Sequence, residues 1–84
     1  MKLRYARHAG QKFKGLKRHG FEVTREQVEE TLQSPEAVFP QEGGQFIAQK
    51  TVSERHLLWV VFRAKGEVKV VITFYPAQCY ENRV

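Results

Sequence analysis

His8 lies four residues before Lys12 in the run RYARHAGQKFKGLKRH, Arg4 to His19, which holds six Lys or Arg, two His and no carboxylate. Imidazole has an ordinary pKa near 6.5 and is the side chain best suited to move a proton at neutral pH. The cations around it favour a polyanion. A second set of candidates, Lys50, Trp59, Arg63, Lys69, Thr73 and Tyr75, falls in the later, strand-like half of the chain. The three His have no Cys partner and no His-x-x-x-His spacing, so no metal site is expected. Metal-free proton transfer and anion binding are the chemistries these residue types allow, and no cofactor is called for.

Charge is unevenly spread. Residues 1–20 carry seven Lys or Arg and no acid, residues 21–44 six acids and one base (Arg25), and residues 45–84 six bases and three acids. Phosphate backbones are the commonest partner for a patch of one sign. A basic, solvated helix that only aids solubility has the same composition, so charge alone does not decide. The 84 residues, 42% hydrophobic, are enough for one folded domain spanning 1–84. No apolar run approaches ~20 residues, and the charged start leads into no signal-peptide core. The single cysteine, Cys79, forms no internal disulfide. A cytoplasmic protein without membrane contact is the expectation.

Helical spacing comes first. Ala6, Ala9, Phe13 and Leu16 form a narrow apolar stripe, and Arg4, His8 and Lys12 a separate i, i+4, i+8 line, in a helix expected over about 4–19. Thr24 and Gln27 have capping-box spacing at the start of a second helix over about 25–33, which Ser34-Pro35 ends. Strands are expected over about 36–40, 45–52, 56–63 and 67–75. The fold class read from this order is α+β: two N-terminal helices followed by a three- to four-stranded antiparallel sheet.

Turn chemistry assigns the sheet faces. Lys65 suits positive φ poorly, so Gly66 is expected to close a three-residue loop with a bulge. That register puts Leu58, Val60, Phe62, Val68, Val70, Ile72 and Phe74 on one face. Leu57, Trp59, Val61, Arg63, Lys69, Val71, Thr73 and Tyr75 fall on the other. A two-residue turn at Ser53-Glu54 adds Lys50 to this second, mixed face. Two narrow helical stripes cover only one side of a sheet. The mixed face then suits a nucleic acid, with cations on phosphates and rings on bases, or it is an ordinary solvent-facing sheet.

RYARHAGQKF, FEVTREQVEETLQSPE and LLWVVFRAKGEVKVVITFYP together resemble a widespread family of small domains without assigned function. That family is grouped with the RelE-like toxins of the barnase–EndoU–colicin–RelE superfamily of metal-independent ribonucleases, and its layout is similar to that of BrnT toxins. The resemblance covers about residues 4–76. It implies a RelE-like fold, RNA cleavage by 2′-OH attack, RNA (free or ribosome-bound) as substrate, and a small acidic antitoxin as partner; no DNA contact is expected. The family's early His corresponds to His8, and the end of its last strand to Thr73 and Tyr75. Basic strand positions that bind the scissile phosphate in such toxins implicate Lys50 and Arg63 by analogous placement.

The resulting candidate set has His8, Tyr75 and Arg63 as catalytic and Lys12, Lys50, Trp59, Lys69 and Thr73 as substrate-binding. His8 is the natural acid or base, Tyr75 a proton donor or positioning group, and Arg63 a bidentate phosphate ligand. Trp59 or Tyr75 stacks a base. Each has a plainer reading: a surface histidine, a tyrosine closing the core edge, a solvated cation. His19, His56 and Cys79 are read as structural or incidental, and the tail's Tyr80 and Arg83 stay unaligned. A non-catalytic RNA- or protein-binding module on the same fold is the alternative function.

Overall fold

A computed structural model of the chain describes residues 2–18 and 23–78. The elements run β1 (Lys2–Tyr5), α1 (Arg7–Arg18), α2 (Arg25–Gln33), β2 (Ala37–Pro40), a 3₁₀ turn at Glu42–Gly44, β3 (Gln45–Ser53), β4 (His56–Lys65) and β5 (Val68–Gln78). Among the described residues the five strands form one mixed sheet in the order β1-β5-β4-β3-β2.

The expected three- to four-stranded antiparallel sheet is thereby corrected. Residues 2–5 are a fifth strand, and β1 runs parallel to β5, Lys2 opposite Val68 through Tyr5 opposite Val71. KLRY alternates: Lys2 and Arg4 are exposed, whereas Leu3 and Tyr5 pack on the core. That period of two overrides the helical line drawn through Arg4. The backbone N–H of Ala6 still donates to Val71 O (2.9 Å) before α1 begins at Arg7. Only His8 and Lys12 of the expected line share the helix.

Both helices pack on one face of the sheet. Val28 and Leu32 of α2 and Ala9 of α1 are buried with Ala48, Leu58, Val60, Phe62, Val71 and Phe74. Phe13 of α1 lies between Phe74 (ring centroids 4.6 Å) and Tyr5 (5.8 Å). Arg25, at the start of α2, stacks its guanidinium over both Tyr5 (4.8 Å) and Phe13 (4.7 Å), tying the helices together. Burial raises the Tyr5 hydroxyl pKa, an effect the nearby Arg25 charge partly opposes. The capping box is complete: Gln27 N donates to Thr24 Oγ1 (3.1 Å) and Thr24 N to Gln27 Oε1 (3.0 Å).

Two registers differ from the expected ones. The β4–β5 hairpin turns on two residues, Gly66 and Glu67, with Lys65 opposite Val68. Gly66 takes φ +60 at the first central position and no other residue near it needs positive φ, the pattern of a type II′ turn. The pairing then slips between Val61 and Phe62, because Ile72 is an extra residue on β5. Beyond that bulge Trp59 faces Tyr75 and Val60 faces Phe74; before it Phe62 faces Val71 and Ala64 faces Lys69. Val71 and Lys69 therefore lie on the helix side, and Val68 and Val70 on the open side, the reverse of the expectation. The β3–β4 connection also turns one residue later, at Glu54-Arg55, with an irregularity between Thr51 and Ser53. Lys50 consequently sits opposite Leu58, not Leu57.

Thr24→Ala removes an N-cap and is expected to cost about 1 kcal/mol. In a domain of this size that lowers Tm by about 4–8 °C, measurable by thermal denaturation.

Candidate nucleic-acid interface

Two of the predicted basic contacts are spent inside the fold. Lys50 Nζ donates to Ser34 O (3.0 Å) and lies 4.0 Å from Glu30 Oε2. Lys69 Nζ donates to Leu32 O (3.3 Å) and sits over the Phe62 ring. Both satisfy carbonyls at the C-terminal end of α2, which has no basic residue of its own in its last turn. Their registers point them there, so neither shares the open face with Arg63 and Tyr75.

The open face keeps the rest. Trp59 and Tyr75 pair directly across β4 and β5 and are 38% and 44% exposed, and Phe39 on β2 is 46% exposed. Val61, facing Thr73 and Ile47, lies between them and Arg63. Gln49, opposite Trp59 on β3, accepts the indole N–H through Oε1 at 2.8 Å and fixes the ring. Arg63 is on this face but four residues along the strand from Trp59, about 13 Å away. It therefore does not join Tyr75 around one phosphate. Its Nε is buried without a hydrogen-bond partner among the described residues. Arg4 and Lys65 line, with Val68 and Val70, a shallow recess of about 190 Å³ at that end.

Lys12 is the residue the sequence undervalued. β1 pairs with β5 only as far as Val71, and α1 takes over along the remainder. Lys12 Nζ thereby reaches Thr73 Oγ1 (3.2 Å) and stands 3.9 Å from the Tyr75 ring centroid. Thr73 is left 9% exposed. Among the described residues no carboxylate pairs with Lys12. Burial lowers its pKa from the ordinary 10.5. His8 is exposed one helical turn earlier, about 5–6 Å away between Cβ atoms. The i, i+4 spacing of His8 and Lys12 was legible; the arrival of Lys12 at Tyr75 depends on β1 and was not.

Lys12, Thr73, Tyr75 and Trp59 thus gather at one end of the open face, with His8 exposed one turn before Lys12 on α1, and Arg63 with Arg4 and Lys65 lie at the other. His19, Cys79, Tyr80 and Arg83 lie outside the described residues. His56 Nδ1 is 3.1 Å from Ser53 Oγ at the β3–β4 turn. Among the described residues no three His, Cys, Asp or Glu side chains come together, and no helix is long and apolar enough to cross a membrane. No protein-family model, curated protein or solved structure matches the chain.

A partly buried cation is a modest cost while charged, and the cost is relieved as pH rises through the lowered Lys12 pKa. Lys12→Met is therefore expected to leave Tm unchanged or higher at pH 7. Lys50→Met and Lys69→Met each lose a bond to an α2 carbonyl and are expected to lower stability by about 1 kcal/mol. Thermal melts of the three variants check both directions.

Proposed function

We propose that this chain binds RNA on the open sheet face and cleaves it without a metal ion, as a toxin-type endoribonuclease. The observation that carries the reading is the Lys12 ammonium, which has no carboxylate partner among the described residues, held between Thr73 and Tyr75, one turn from His8. A scissile phosphate at that ammonium has its added transition-state charge neutralised in a partly desolvated place, where a cation counts for most. His8 takes the 2′-OH proton as O2′ bonds to phosphorus. The bond to O5′ breaks, and O5′ takes a proton from the Tyr75 hydroxyl, which His8 restores through solvent. The products are a 2′,3′-cyclic phosphate and a 5′-hydroxyl, with atoms and charge balanced and no co-reactant. Lys12 replaces Lys50 and Arg63 as the phosphate ligand at the reacting centre. A cytoplasmic setting and a small acidic protein that covers the basic face as antitoxin go with this reading.

Binding without cleavage is the second reading. It is favoured by one observation: His8 is exposed and makes no hydrogen bond among the described residues that would orient its ring.

Purified protein incubated with RNA and EDTA is expected to release fragments ending in 2′,3′-cyclic phosphate. His8→Ala should slow this by about 10²–10⁴-fold, and His8→Gln should not restore it, because an amide exchanges no proton at neutral pH. Cleavage that vanishes with chelator contradicts the mechanism. Retained RNA affinity with no cleavage selects the second reading. Affinity should fall with salt, and Lys12→Met should reduce the log–log slope by about 0.7 if Lys12 meets a phosphate.

A further inference from the structure

Trp59 is the only tryptophan in the chain, and its indole N–H is already taken by Gln49 Oε1 at 2.8 Å. With its one donor occupied, the ring has only a π-face to offer a ligand. Tyr75 lies directly across from it, with Lys12 over the Tyr75 ring. At the other end of the face, Arg4 and Arg63 both pair with Val70, and Lys65 lies beside them over the recess. None of these three has an ion-pair partner among the described residues, and Arg63 Nε is buried unpaired.

We infer that the open face takes unpaired, single-stranded RNA, with one base stacked on Trp59 and a second phosphate held by Arg4, Arg63 and Lys65. This rests on the RNA reading above. Stacking on a side-chain ring requires a base removed from its own helix, which a duplex does not supply. The two cationic ends are separated by Val61 and Thr73 along about 13 Å of strand, a distance that a few nucleotides cover. The fitting comparison is the small end of known single-strand sites, about 4 nucleotides. Recognition through a ring face and phosphates is tolerant of base identity. Gln49 is a positioning residue in this scheme: it holds the indole and touches no ligand.

The test uses a 2′-O-methyl oligouridylate, which has no 2′-OH to react, and the same backbone chemistry in a hairpin duplex. Emission from Trp59 reports stacking directly. The single strand is expected to quench Trp59, and the duplex to bind at least about tenfold more weakly. By anisotropy of a labelled strand, Trp59→Ala should weaken binding about tenfold, and Trp59→Phe, which keeps a ring, should restore most of it. Gln49→Leu should lessen both quenching and affinity while leaving the salt slope unchanged, whereas Arg63→Gln should reduce that slope by about 0.7. If Trp59→Ala does not fold, the Arg63→Gln slope and the quenching of the native chain carry the test. Equal affinity for duplex and single strand, or single-strand binding without any change in Trp59 emission, overturns the inference and leaves the RNA reading standing. Binding of neither RNA form removes the RNA reading itself and this inference with it.

Discussion

Parallel pairing of β1 with β5 is the constraint on which the rest depends. It ends at Tyr5 and Val71, and the Ala6-to-Val71 hydrogen bond delivers the chain straight into α1 alongside β5. Phe13 is then inserted between Tyr5 and Phe74, completing the core on that side. The same placement carries Lys12 to Thr73 and Tyr75. Without the short strand the helix would have no fixed register against β5, and the cation no fixed address.

The fold also sorts its cations by task. Lys50 and Lys69 are on the helix side, where they neutralise the carbonyl end of α2. Lys12, Arg4, Arg63 and Lys65 are left on or beside the open face without carboxylate partners among the described residues. A cation bonded to backbone carbonyls gives up those bonds before it can bind a phosphate, so only the second group is ready for an anionic ligand. For Lys50 and Lys69 the division follows from strand parity: one residue of slip in the β3–β4 hairpin moves Lys50, and one in the β4–β5 hairpin moves Lys69, to the other face.

The local signals in the sequence were legible and the parity was not. Thr24 and Gln27 act at short range, and their spacing is enough to reveal the capping box that forms. That Trp59 and Tyr75 share one face was also legible from alternation, although their direct pairing was not. Lys69 and Val71 went to the wrong side because Gly66 opens a two-residue turn and does not close a three-residue loop; the bulge at Ile72 cancels that shift further along, so Thr73 and Tyr75 stay on the expected face. Nothing in the residue types marks that bulge. Lys50 was misplaced by an analogous slip, the irregularity between Thr51 and Ser53; the later turn at Glu54-Arg55 alone would have left it opposite Trp59 on the open face. KLRY is four residues long and adjoins a strongly basic helical pattern, so its alternation is too short to stand out. Its partner lies more than sixty residues away, and pairing across that separation leaves no local trace.

The central claim is that RNA meets this protein on the open face, at the end where Lys12 reaches Tyr75. Backbone amide shifts, followed by NMR as a non-cleavable single-stranded oligoribonucleotide is added, test it most directly. The account predicts the largest changes at Trp59, Thr73, Tyr75 and Lys12, continuing to Arg63 and Val70. Changes confined to α2 and β2, or to exposed α1 positions such as Lys14 with the sheet amides unmoved, would contradict it.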